Sequence, residues 1–345
     1  MNATYSTMKV THLYKPKIVL IGVGKFGKNH LRVLKELEEQ DACDLYGVVD
    51  IKCETLKVIG KEHKFKTSTD FRDFLKDDDV DAVDVVAPTS THFVIGKECL
   101  AAGKHVFVEK PFTTSYVEAK ELVQIAEEQR KTLMVGHIFR YNFAVRKIKE
   151  LIEKGELGQV YYLFGHFMGL KDPKPDVGAL FNYTVHHIDI YNYLLQKMPE
   201  EVTCCVGFSL GRNEFEDVAL LVLKYPANVM GIVEGSWLPP GKYRDLTVVG
   251  SRKSIISNLS EQTLELHDAH IEAWNGRLKA VDKGSEKLDI KFKEPLKLEL
   301  QDFIESIKTG RKPIADARSA LNVVKIAEKA LESAQLKRSV RINET

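Results

Sequence analysis

Lys17-Ile18-Val19-Leu20-Ile21-Gly22-Val23-Gly24-Lys25-Phe26-Gly27 is the stretch on which the reading of this chain turns. An apolar, partly β-branched run leads into glycines spaced G-x-G-x-x-G. The first glycine lets the chain turn sharply out of a strand. The second lets backbone approach a pyrophosphate, and the third lets the next helix pack closely on the sheet. That helix is expected from Lys25 to about Leu37, with Leu31, Val33, Leu34 and Leu37 on its buried side. Its N-terminal N–H groups and positive dipole end then face the phosphates. A glycine-rich turn without a ligand is the alternative, and the strand–turn–helix context weighs against it.

Working outward, Leu45-Tyr46-Gly47-Val48-Val49-Asp50 reads as the next strand, closed by an acid. Asp50 can accept hydrogen bonds from both ribose hydroxyls and repels a 2′-phosphate, which favours NAD over NADP. Lys52, two residues on, pulls the other way. Further strands are expected at 17–22, 82–87, 105–109 and 132–136, and helices near 91–102 and 114–129. Such alternation implies a doubly wound parallel sheet with helices on both faces and ligands beyond the strands' carboxyl ends. Lys25, Phe26, Ile51, Pro88, Thr89, His92, Glu109 and Lys110 are therefore expected at the cofactor, with the glycines and Asp50.

After Arg140 the pattern changes. A helix near 143–154 precedes a β-prone run from Val160 to Phe167, then strands near 202–210, 217–224, 228–236 and 244–250 without helices between them. This predicts a mostly antiparallel open sheet in an α+β second domain. Leu300, Phe303, Ile304 and Ile307 mark a helix that Gly310 ends, and a last helix runs from about Ala317 to Gln335. The expected division is an N-terminal arm over 1–15, a dinucleotide-binding domain over 16–137 and a substrate and oligomerisation domain over 138–345, whose closing helices can return to the first domain.

Composition sets the remaining bounds. The 345 residues carry 50 basic and 49 acidic side chains, so nothing in the charge balance argues for nucleic acid or an anionic membrane. Five cysteines show no C-x-x-C pair or zinc spacing, which fits a reducing cytoplasm. Residues 1–15 lack the apolar core of a signal peptide, and no apolar stretch approaches membrane-spanning length.

Two features carry chemistry. Lys110, set between Glu109 and Pro111 at a strand end, places an amine at the mouth of the crevice, where it can stabilise developing alkoxide character. In Asn182-Tyr-Thr-Val-His186-His187-Ile-Asp189, a helix puts Asn182 and His186 on one face, with Asp189 near His186. His186 is then the expected proton acceptor and Asn182 its orienting partner, whereas His187 points away and reads as structural. Adjacent residues splay on a helix, so no metal is expected at His186, His187 and Asp189.

On these residues the chain resembles the Gfo/Idh/MocA oxidoreductase family over nearly its whole length. The matching segments are the glycine loop, Ala101 to Val106 running into Glu109-Lys110-Pro111, Gly136-His137, Gly178 to Asp189 and the closing helices. The resemblance implies a Rossmann domain followed by a large open sheet used in oligomerisation as a homodimer or homotetramer. It also implies hydride transfer between a sugar or polyol carbon and nicotinamide. Within the family, Gly136 to Val145 and Ser236 to Gly250 resemble the sugar-nucleotide 3-dehydrogenase branch. That likeness implies Arg140, Tyr141, Asn142, Lys242 and Arg244 as substrate contacts; the last two alternate on one side of a strand, where they either meet a diphosphate or form a solvated edge. The expected substrate is C3 of UDP-GlcNAc or a related UDP-aminosugar, with a free sugar or cyclic polyol, or a non-catalytic sensor, as alternatives. Asn182 departs from the aspartate common in the family: it can orient His186 but cannot raise its basicity.

Overall fold

In the computed structural model, residues 14–62, 65–211 and 214–343 are described. The expected N-terminal arm lies outside them except for Tyr14 and Lys15. The first half alternates β1 (Lys17–Ile21), α1 (Gly27–Glu39), β2 (Asp44–Val49), α2 (Cys53–Glu62), β3 (Lys66–Ser68), β4 (Ala82–Val85), α3 (Thr89–Ala101), β5 (His105–Val108), α4 (Tyr116–Glu128) and β6 (Leu133–Val135). The six strands pair in parallel in the order β3-β2-β1-β4-β5-β6. This is the Rossmann order, with β1 and β4 flanking the switch point where ligands bind. Two elements escaped the sequence reading, α2 and β3. The helix after the glycines begins at Gly27, so Lys25 and Phe26 belong to the loop.

The second half opens with α5 (Phe143–Glu153), β7 (Val160–Gly169), a π-helical turn over Leu180–Thr184 and α6 (Val185–Leu195). Next come β8 (Glu201–Gly207), β9 (Val218–Tyr225), β10 (Val229–Ser236), β11 (Lys242–Gly250), β12 (Ser254–Asn258), β13 (Thr263–Trp274) and β14 (Arg277–Leu288). The chain closes with α7 (Pro295–Thr309), α8 (Ala317–Leu336) and β15 (Val340–Arg341). Nine strands form one open sheet, ordered β14-β13-β12-β11-β7-β10-β9-β8-β15. Only β7 and β10 run parallel; the other pairs are antiparallel.

The two halves share their cores. On one face of the Rossmann sheet, Ile18, Leu20, Leu34 and Leu37 pack against Leu300, Phe303 and Ile304 of α7, so the C-terminal segment fills a helix position beside α1. On the other face, Val85, Val108 and Leu122 belong to a core that continues through Val323 and Ala327 of α8 to the inner face of the large sheet. Arg140 reinforces this joint. Its Nε lies 2.9 and 3.0 Å from the two carboxylate oxygens of Asp189, its Nη2 lies 2.6 Å from one of them, and Nη1 donates to the Ile314 carbonyl at 2.7 Å. A bidentate guanidinium–carboxylate pair of this burial is strongly directional.

Candidate active site

The glycine loop divides its three roles visibly. Gly22 has φ +95°, and a Cβ there would stand 2.4 Å from the Val86 carbonyl oxygen; one on Gly27 would stand 2.1 Å from the Gly22 oxygen. These two positions are closed by backbone. A Cβ on Gly24 would meet nothing within 4 Å, so the middle glycine faces open space. Asp50 follows β2 and its carboxylate accepts N–H bonds from Val23 and Lys52, both at 2.9 Å. It therefore ties the end of β2 to the loop. Ile51, at 86% exposure, presents an apolar side chain beside it. Pro88 and Thr89 start α3, and the buried Thr89 hydroxyl has no hydrogen-bond partner. The open Gly24, the carboxylate of Asp50 and this orphaned hydroxyl at the switch point fit an adenine dinucleotide. His92 does not join them: its ring nitrogens lie 2.9 Å from the Pro111 carbonyl and 3.0 Å from that of Ala87, so it braces two loops instead of meeting a cofactor.

Lys110 follows β5 and precedes a cis peptide to Pro111. Its own N–H donates to Glu109 Oε2 at 3.0 Å, and its Nζ donates to the Asn182 backbone carbonyl at 2.9 Å. Burial lowers its titration to about 7; Lys174, Lys171 and Arg244 push the same way, and Glu109 opposes them. An amine with that titration is half charged near neutrality.

Asn182 lies inside the π-helical turn, ahead of the α-helical His186. Among the described residues no hydrogen bond joins Asn182 to His186; Asn182 offers its carbonyl to Lys110 instead. Asp189 turns to Arg140. His186 sits in an aromatic slot, stacked on Phe167 at 4.3 Å between ring centroids and edge-on to Phe139 at 5.1 Å. Its Nδ1 is buried without a partner. Burial, with Lys110, His137 and Arg244 adding to it, drives its titration well below the usual imidazole range. His187 is structural, as expected, with Nε2 2.8 Å from the Asp245 carbonyl.

The substrate contacts expected around Arg140 are overturned by internal bonds. Arg140 is held by Asp189. Tyr141 donates its hydroxyl to Asp302 at 2.6 Å, and Asn142 caps α5 at Ala144 N–H while donating to the Leu259 carbonyl. All three are buried staples. Lys242 and Arg244 separate: Lys242 is exposed, whereas Arg244 is only 5% exposed and lays its guanidinium 3.6 Å over Phe167. Arg244 donates to the carbonyls of Met168 and Tyr243, and no carboxylate lies within ion-pair reach among the described residues. Burial lowers it to about 10. Arg244, Lys242, Lys25 and Lys174 all depress Lys171, so these cations share one neighbourhood. Phe139, Phe167, Lys171 and Lys174 were not singled out from sequence; the proline-bracketed Lys171-Asp-Pro-Lys174-Pro before the histidine helix was a readable signal.

Residues 16–137 match the model of the oxidoreductase family with an NAD-binding Rossmann fold, and 149–342 match that family's C-terminal α/β domain. The chain belongs to this family, the Gfo/Idh/MocA oxidoreductases, and is a dehydrogenase using NAD. It is 27% identical to the myo-inositol 2-dehydrogenase of Thermotoga maritima, over 95% of this chain and 99% of that one. It is 24% identical to the UDP-N-acetylglucosamine 3-dehydrogenase of Acidithiobacillus ferrooxidans, over 89% and 94%. A solved structure of that enzyme shares the fold at a TM-score of 0.80, with 22% identity over 94% and 98%. An Agrobacterium radiobacter oxidoreductase solved with NAD+, L-tartaric acid and magnesium shares it at 0.79, with 20% identity over 95% and 99%.

Proposed function

We propose that the protein oxidises a secondary hydroxyl of a sugar nucleotide, C3 of UDP-GlcNAc or a related UDP-aminosugar. The observation that carries this reading is the buried Arg244 guanidinium without a carboxylate, beside Lys110, Lys171, Lys174 and Lys242. A buried charge without a direct ion pair is costly, and an anionic substrate supplies a closer partner than Asp245, which acts on Arg244 only from beyond ion-pair reach. A diphosphate suits such donors.

Gly22, Gly24, Gly27, Asp50 and Thr89 would hold NAD, the open backbone at Gly24 leaving room for its diphosphate. Bound NAD supplies the acceptor for the hydride leaving the carbinol carbon. We give the proton role to Lys110, whose Nζ is held 2.9 Å from the Asn182 carbonyl, in place of His186, and the pKa directions support that choice. Burial keeps the His186 ring neutral and also makes it a weak base, whereas an amine titrating near 7 matches neutral conditions. Lys110 Nζ therefore takes the hydroxyl proton, and His186, fixed between Phe167 and Phe139, orients the hydroxyl. The Asn182 carbonyl holds Nζ in place. The reaction runs in the cytoplasm, and a second copy of the chain covers the outer face of the large sheet.

The test is a substrate comparison. UDP-GlcNAc or its uronic acid should be oxidised with far higher kcat/KM than glucose or inositol. The double variant Lys171→Ala/Lys242→Ala should raise KM for the nucleotide sugar while kcat holds, as expected for lost uniform binding. The similarity to the Thermotoga myo-inositol 2-dehydrogenase favours a cyclic polyol as the second reading. Efficient inositol turnover unaffected by that double variant would establish it.

A further inference from the structure

Behind the glycine loop lies a group of ionisable side chains to which the chemistry above gives no role. His30 of α1 is fully buried, with Nδ1 2.8 Å from Asp84 Oδ2 on β4 and Nε2 3.3 Å from Glu109 Oε1 at the end of β5. Glu299 of α7 is also fully buried, and neither of its oxygens has a hydrogen-bond partner among the described residues. Phe26 and Phe107 close the ring edges of His30. Nδ1 is hydrogen-bonded to Asp84, whereas Nε2 lies within ion-pair reach of Glu109 Oε1 without hydrogen-bond geometry, and only the doubly protonated ring turns an N–H toward each carboxylate. The other oxygen of Glu109, Oε2, accepts the Lys110 N–H, and Gly136 leaves the room that this carboxylate fills, since a Cβ there would lie 2.6 Å from Oε1.

We infer that His30 is a permanently charged positioning residue, an imidazolium clamp between Asp84 and Glu109 that fixes the Glu109 carboxylate and through it the Lys110 loop. The helix that begins at the nucleotide loop is thereby fastened to the loop that carries the reactive amine. This inference rests on Lys110 being that amine. Burial alone would strip the proton from His30, but the attraction of Asp84 and Glu109 outweighs it and raises its titration to about 10, while burial pushes the Asp84 carboxyl upward against the pull of His30. Glu299, pushed well upward by burial and by Glu109, completes the cluster as a neutral acid and so adds no further negative charge.

The test separates positioning from stability. NMR of histidine-labelled protein should show both His30 nitrogens protonated from about pH 6 to pH 9, against an ordinary imidazole midpoint near 6.5. His30→Gln should lower kcat at least tenfold with little change in substrate KM, and should lower the melting temperature. The double variant His30→Gln/Asp84→Asn removes both charges together, so stability should return while kcat stays low. A His30 neutral at pH 7, or recovery of kcat together with the melting temperature, would overturn the inference. If Lys110→Met retained full kcat while His30 titrated as expected, the error would lie in the role given to Lys110 and not in the clamp.

Discussion

At Lys110 the balance is between burial, joined by the cations Lys171, Lys174 and Arg244, and the single carboxylate of Glu109. Burial and the cations win. The sign follows from the two forms: below about 7 the ammonium has no lone pair, and above it the free amine accepts a proton. For hydroxyl oxidation, kcat/KM should therefore rise with pH and level off above about 7. Lys110→Met should abolish that limb and lower kcat by roughly 10²–10⁴, the range for losing a positioned acid or base. His186→Asn should lower kcat but keep the limb. A rate that falls above pH 7 would give the proton back to His186. Asp50 allows a second measurement at this scale. Its carboxylate already receives two backbone N–H bonds at the loop, so alanine would loosen the loop as well as remove charge; Asp50→Asn is the cleaner change. The wild-type protein should bind NAD at least tenfold tighter than NADP, about 1.4 kcal/mol, and Asp50→Asn should narrow the gap. Equal calorimetric affinities for the two cofactors in the wild type would remove the role given to Asp50.

Among elements, the glycine loop offers a contrast between neighbours. Gly22→Ala places a methyl group 2.4 Å from a carbonyl at φ +95°, a strain of about 1–3 kcal/mol that should appear as a lower melting temperature without ligand. The Cβ of Gly24→Val meets no atom within 4 Å, so the free protein should melt near the wild-type temperature while NAD affinity drops at least tenfold. Normal NAD binding by Gly24→Val would place the diphosphate elsewhere. The elements read well from sequence were helices with one buried face, α1 and α7, which show their packing in Leu34, Leu37, Leu300 and Phe303, and the strand β1, a continuous apolar run buried on both faces. Strands β12, β13 and β14 did not, because β14 (Arg-Leu-Lys-Ala-Val-Asp-Lys-Gly-Ser-Glu-Lys-Leu) is exposed along most of its length and carries no apolar alternation. The π-helical turn was hidden as well, since hydrophobic spacing cannot register one inserted residue. Site residues at strand ends, Asp50 and Lys110, were legible because topology brings all such ends to one crevice. His30 with Asp84 and Arg140 with Asp189 were not, since each pair is joined across 54 and 49 residues by tertiary packing alone.

For the whole molecule, the large sheet has one face without a covering layer among the described residues. Its inner face packs on α6 and α8, while the register aligns an outer row across five strands: Val222, Ile232, Phe164, Thr247 and Ile256. One flanking row is largely polar, with Glu234, His166, Asp245 and Asn258 beside Leu220, whereas the other mixes Lys224 and Ser254 with Met230, Tyr162 and Val249. Ile232 and Ile256 are exposed in the central row, and Leu220 and Met230 in the rows beside it. An exposed apolar patch of this kind with polar side chains among it marks an association surface. A second copy of the chain is the occupant proposed, because an open sheet face can meet its own copy across a twofold axis and bury the same row from both sides. A stable pair needs roughly 1,200 Å² or more of buried surface, which five adjacent strands can supply. Ile232→Arg puts a charge at the middle of that row, on the face opposite His186 and Lys110. Sedimentation should show a dimer or tetramer for the wild-type chain and a smaller species for the variant, whose fold and NAD binding should persist. A wild-type chain that sediments as a monomer at micromolar concentration would leave this face to another partner.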